Sequence, residues 1–141
     1  MRLGKWHRTL WLAALIAVGL SGVVWFALHD LAGREPDELQ HVVLVAHGVT
    51  SFAALVAFGS VLPLHVRASW RQRRNLVSGT GIVLVFAILI VTALLLYYAG
   101  EQSQSWARLL HLLVGGVAVV GMPLHIVLGR RSRKRDCCSP L

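Results

Sequence analysis

Residues 42–64, VVLVAHGVTSFAALVAFGSVLPL, run for 23 residues without a Lys, Arg, Asp or Glu, and the one ionisable side chain among them is His47. About 20 mainly apolar residues suffice for a helix to cross the hydrocarbon of a bilayer, and this stretch meets that length. Three further stretches, 9–28, 82–99 and 109–128, are likewise free of Lys, Arg, Asp and Glu. The segments between them are short and polar: 30–40 carries Gly33 and Pro36, 67–75 is basic, and 100–105 is small and hydrophilic. The pattern predicts an all-α membrane protein, an up-down bundle of four transmembrane helices at about 9–28, 42–66, 78–99 and 106–128. It forms one domain over residues 1–141, of which 129–141 is a basic tail.

Composition agrees and narrows the function classes. The chain has 141 residues, 56% hydrophobic and 14% charged, with a mean hydropathy of +0.66 and a formal net charge of +8. Soluble domains are about a quarter charged, so a water-soluble enzyme and a disordered tail are both excluded. The positive charge is not a nucleic-acid signature, because it is segregated. Arg2, Lys5 and Arg8, then Arg67, Arg71, Arg73 and Arg74, then Arg130, Arg131, Arg133, Lys134 and Arg135 all fall on one side, with Asp136. The other side has Arg34 and Arg108 against Asp30, Glu35, Asp37, Glu38 and Glu101. By the positive-inside rule both termini are cytoplasmic and the acidic loops face out, which predicts a multi-pass protein of the cell (inner) membrane.

Trp25, Tyr97, Tyr98 and Trp106 fall near the outer boundary and Trp6, Trp11 and Trp70 near the inner one, the places of interfacial anchors. The first apolar run follows a basic start, as in a signal peptide, but it is long for one and no small-x-small cleavage site follows it, so it reads as a helix. Cys137 and Cys138 are adjacent in the cytoplasmic tail; a reducing compartment argues against a disulfide and one vicinal pair is too few ligands for zinc.

Seven histidines remain: His7, His65 and His125 toward the inner end, and His29, His41, His47 and His111 toward the outer end. A lone histidine near a helix end is more often an interfacial or hydrogen-bonded residue than a ligand, so the arrangement has to carry the argument. Ionisable groups within transmembrane segments are rare and usually functional. His47 and His65 are 18 residues apart, five whole turns, and His111 and His125 are 14 apart, about 40° short of four. Each pair shares a helix face, and the separations along the axis are about 27 Å and 21 Å. Helices two and four run parallel, so they present one histidine pair at each surface. Two neutral imidazoles from two helices are what a b-type haem requires. Gly48, Ser51 and Gly59 on helix two and Gly115, Gly116 and Gly121 on helix four are small enough to admit a macrocycle, though small residues also serve close helix packing.

An internal repeat sharpens the assignment. Val61-Leu62-Pro63-Leu64-His65-Val66 matches Gly121-Met122-Pro123-Leu124-His125-Ile126 at an offset of 60 residues. Each proline frees the carbonyl four residues earlier, Gly59 or Val119, and is expected to bend the helix just before its histidine. His65 and His125 then read as equivalent inner ligands across a pseudo-two-fold. The outer end is one turn out of step, since His47 maps to Ala107 rather than to His111.

These features together resemble the small four-helix cytochrome b proteins, which include di-haem membrane subunits of formate dehydrogenase and nickel-iron hydrogenase and the superoxide oxidase type. The residues that carry the likeness are His47-Gly48, Leu62-Pro63-Leu64-His65-Val66, Trp70, Arg74-Asn75, Leu96-Tyr97-Tyr98, His111 and His125, over about residues 40–130. The resemblance implies two non-covalent haem b groups, the outer on His47 and His111 and the inner on His65 and His125, with iron as the ligated metal. It also implies an alternative, because in the formate dehydrogenase and superoxide oxidase types the start of helix one supplies an inner ligand, and His7 occupies that position. The duplicated tripeptide favours His65. His29 and His41 are alternatives to His47 that lie in or beside the polar loop. Arg108 and Arg67 are candidate contacts for haem propionates, with lipid headgroups as the competing partner.

Three function classes follow. The first is a cytochrome b that moves electrons through the membrane between an outer-face redox protein and either the quinone pool or an inner-face partner. The second is a stand-alone oxidoreductase, for example oxidising superoxide and reducing quinone. A cationic funnel for an anionic substrate is expected there, and the outer loops are net acidic. The third is a non-haem structural subunit or metal carrier; a carrier calls for carboxylates or thiolates inside the bundle, and the sequence has none there. The lipid bilayer is the first partner in every case, and self-association is compatible with all three. No catalytic group, nucleotide motif, CxxCH or four-cysteine pattern is present.

Overall fold

The computed structural model describes the backbone of residues 5–33, 35, 37–72 and 76–137, and their side chains except at 5, 7, 64, 65, 68–70, 72 and 130–137. The described residues form four long helices: α1 (Lys5–Phe26), α2 (Glu38–Gln72), α3 (Leu76–Tyr98) and α4 (Glu101–Cys137). A π-helical turn, Ala27–Leu31, continues α1. Four stretches are long and apolar enough to cross a bilayer: Arg8–Leu31, Glu38–Pro63, Leu76–Tyr98 and Glu101–Gly129. Large apolar side chains such as Phe52, Val56, Leu84 and Leu113 stand exposed on all-helical surfaces. In water such patches are not tolerated on a soluble monomer; against lipid tails they cost nothing.

The chain divides into two compact units, Met1–Arg71 and Gln72–Leu141, which hold the hairpins α1–α2 and α3–α4. In the first, α1 ends through the π-turn, whose last N–H, from Ala32, returns to Ala27 O at 2.9 Å. Gly33 follows at φ 55°, a left-handed conformation that costs a residue without a Cβ little. Asp37 then caps α2, its Oδ1 accepting from the Gln40 N–H at 2.8 Å. In the second hairpin the turn is tighter. The Gly100 carbonyl accepts from the N–H groups of Ser103 and Gln104, and the Gln104 side chain donates to Ala99 O at 2.9 Å. One polar side chain thereby satisfies a carbonyl that the end of α3 leaves open.

Contacts between α3 and α4 hold one register. His111 meets Thr92, Gly121 faces Ile82 and His125 meets Ser78, and in each pair the residue numbers sum to 203. On α4 these positions, with Gln104, fall at 104, 111, 121 and 125, the spacing of a heptad seam. Ala107 lies on the same seam between Gln104 and His111 and is 3% exposed.

Two sequence expectations change in detail. Helix two runs on to Gln72 through most of the expected 67–75 turn, and Arg73, Arg74 and Asn75 lie outside the described residues. Helix four begins at Glu101, within the expected 100–105 connection, and continues through the basic 130–137 segment. Arginine and lysine are good helix formers, so the charges that end a hydrophobic span do not end the helix. The indole Nε1 of Trp11 is shielded and has no hydrogen-bond partner among the described residues. Trp25 stacks on His29, at 4.6 Å between ring centroids. Pro63 and Pro123 both lie inside continuous helices.

Candidate functional site

His47 lies on α2 against α1. Its Nδ1 is 3.2 Å from the Val18 carbonyl and 3.1 Å from Ser21 Oγ. A carbonyl only accepts, so Nδ1 carries the proton and Nε2 of the neutral ring is the basic nitrogen. Ser21 donates its own proton to Val18 O at 3.1 Å, which leaves its oxygen able to accept from the imidazole. The backbone gives the ring its room. A Cβ on Gly22 would stand 3.0 Å from His47 Cε1 and 3.3 Å from Nδ1 but 3.9 Å from Nε2. The Nδ1–Cε1 edge therefore rests on α1, and Nε2 is the ring nitrogen farther from it.

His111 on α4 repeats the arrangement with a side-chain partner. Thr92 Oγ1 lies 2.8 Å from His111 Nδ1, and Thr92 is 2% exposed. The threonine hydroxyl has one proton, and it is within 2.9 Å of Ile88 O and 3.1 Å of Leu89 O, both acceptors only. The hydroxyl oxygen is placed to accept from a His111 Nδ1–H while its own proton goes to α3's backbone, the arrangement that leaves Nε2 as the basic atom. His125 Nδ1 is 3.2 Å from Ser78 Oγ, two heptads further along the same seam. Of the three serine and threonine residues in α3, two thus meet the two histidines of α4.

Taken one by one, these imidazoles are of the chemistry that ligates a haem iron. An imidazole whose Nδ1–H is held by a carbonyl or hydroxyl is oriented and made more basic for ligation through Nε2. His47, His111 and His125 each have Nδ1 within hydrogen-bond distance of such an oxygen, and for His47 the Val18 carbonyl can only accept. A Cβ placed on Gly115 or Gly116 meets nothing within 4 Å, so α4 offers a smooth backbone there; Gly121 instead has Ile82 Cδ1 at 3.8 Å, on the seam with α3. Of the glycines expected to pack a haem, Gly115 thus has open space at its Cβ position and Gly121 faces Ile82 of α3. Gly59 is likewise open, and Gly48 follows His47 within α2.

The remaining predicted residues are placed as follows. The side chains of His65 and His7 lie outside the described ones, so the choice between them stands as the sequence left it. Arg67 is exposed and Arg108 is half-buried one turn before His111. His41 is exposed. His29 is engaged in the hairpin turn: its Nδ1 is 3.1 Å from Oε1 of Gln40, which is 4% exposed and donates to Glu35 O at 3.2 Å. Among the described residues no three His, Cys, Asp or Glu side chains gather where they would hold a metal ion. A bis-imidazole haem asks for two protein nitrogens, the porphyrin supplying the other four.

Sequence reasoning missed Val18, Ser21, Gly22, Ser78 and Thr92. One signal was present: Ser78 and Thr92 are 14 residues apart, the spacing of His111 and His125. No family model, curated protein or solved structure matches the chain.

Proposed function

We propose that this protein is a di-haem cytochrome b of the cell membrane, carrying electrons between an outer-face redox partner and the quinone pool or an inner-face partner. His47 and His111 are the axial ligands of the outer haem, and His125 with His65 those of the inner one. Both termini are cytoplasmic in this reading, on the strength of the segregated basic residues. The observation that carries it is the state of the histidines. In spans where an ionisable group is costly, His47 and His111 each place Nδ1 against an oxygen of the neighbouring helix, which supports Nε2 as the nitrogen a haem would take.

The haems supply one-electron redox chemistry when bound. The chain holds the imidazoles in one tautomer, surrounds the site with a low dielectric and fixes the ligands at two depths. Single substitutions test the assignment in purified protein. His47→Ala and His111→Ala remove the same haem from the low-spin b-type spectrum, and His125→Ala removes the other. If His65→Ala leaves the inner haem and His7→Ala abolishes it, the inner ligand belongs to helix one. Full haem content in both His47→Ala and His111→Ala overturns the proposal.

A further inference from the structure

We infer that Thr92 and Ser78 make α3 a positioning helix for the chemistry of α4, Thr92 being the stronger of the two. The inference rests on the haem reading only for its consequence, since the geometry belongs to the α3–α4 hairpin alone. Hydroxyls in an apolar helix ordinarily bond back to their own turn and need nothing else. Thr92 makes that bond and, from the same oxygen, reaches His111 Nδ1 at 2.8 Å while almost wholly buried. Ser78 stands in the matched position two heptads away, 3.2 Å from His125 Nδ1. A packing role needs no such repetition: valine has nearly the shape of threonine and suits lipid better.

The consequence is chemical. A buried Nδ1–H donating to a hydroxyl oxygen holds the imidazole in the Nδ1–H tautomer, with the lone pair on Nε2. It also fixes the ring angle and raises ligand basicity, which stabilises the ferric over the ferrous ion and lowers the potential. Neither hydroxyl touches iron; each acts through its histidine.

The experiment uses full-length protein, ¹⁵N-labelled at histidine, in lipid nanodiscs, prepared both haem-free and haem-loaded. In the haem-free protein the His111 signal, assigned by its loss in His111→Ala, is expected in the Nδ1–H form. Thr92→Val moves it toward the Nε2–H form and Thr92→Ser restores it. In the loaded protein Thr92→Val weakens retention of one haem by about 10- to 100-fold, the usual cost of losing such a partner. It also raises the potential of that haem and leaves the other unchanged, and Thr92→Ser again restores both. An Nε2–H tautomer at His111 in the wild type overturns the inference, as does a Thr92→Val spectrum identical to it. The wild-type spectrum decides even where Thr92→Val fails to insert. An Nδ1–H tautomer in a protein that takes up no haem sustains the positioning role and sinks the haem reading instead.

Discussion

The two hairpins hold a histidine by the same atom and by different means. In α1–α2 a main-chain acceptor takes part: the Val18 carbonyl shares the His47 Nδ1–H with Ser21 Oγ, and Gly22 lets the ring lie against the helix. In α3–α4 the acceptors are side chains, Thr92 and Ser78, set on a seam that Ala107 and Gly121 keep narrow. A carbonyl cannot be mutated away, so the first hairpin is vulnerable through the space it grants the ring. The second is vulnerable through the hydroxyls themselves. The same contrast explains why the 60-residue repeat breaks at the outer end: the position matching His47 is Ala107, one of the most buried of the described residues. A larger side chain there would have to displace its neighbours, and the histidine of α4 stands one turn further on.

The largest effect expected is loss of a haem. On the proposed assignment, His47→Ala in one hairpin and His111→Ala in the other each halve the b-type absorbance per chain, and the double variant loses no more than either single one. Next comes Gly22→Ala, which places a methyl 3.0 Å from His47 Cε1. Overpacking of this kind costs about 1–3 kcal/mol, read as a lowered unfolding midpoint. It perturbs the electron paramagnetic resonance signal of the His47 haem alone. Gly115→Ala inverts sign with loading. With no neighbour within 4 Å of the new Cβ, the haem-free protein gains helix propensity, at most about 1 kcal/mol, while the loaded protein loses haem affinity.

Smaller still is Ser78→Ala. Interhelical hydrogen bonds in membranes average about 0.6 kcal/mol and reach about 1.7. Thr92→Val belongs near the upper figure and Ser78→Ala near the lower, an ordering that thermal unfolding in nanodiscs measures. The smallest effect falls on haem content in His29→Ala. Its ring closes the α1–α2 turn through Gln40 and Trp25, so both proposed haems are expected to stay and only stability to fall. A missing outer haem in that variant transfers the ligand from His47 to His29.

The spans were legible because about 20 consecutive residues without a charge match the thickness of the hydrocarbon. The described helices contain all four. Their ends were not legible, because arginine signals the edge of the hydrocarbon and is indifferent to the end of a helix; α2 and α4 run on through Arg71 and Arg135. The histidines stood out as rare ionisable groups in apolar surroundings. Their partners did not. Val18 acts through its backbone, which carries no sequence signal, and Ser21 and Thr92 look like hydroxyls that bond their own turn. Only register reveals them, and register becomes visible once α3 and α4 are paired. The 14-residue spacing, which looks like an imperfect four turns on an isolated helix, is two heptads on a packed one.

The central claim is that these histidines hold haem, and stoichiometry tests it most directly. Protein purified from haem-replete cells, assayed for haem per chain and scanned in oxidised and reduced forms, is expected to carry two b-type haems with low-spin bis-imidazole spectra. A colourless, correctly folded protein contradicts the account.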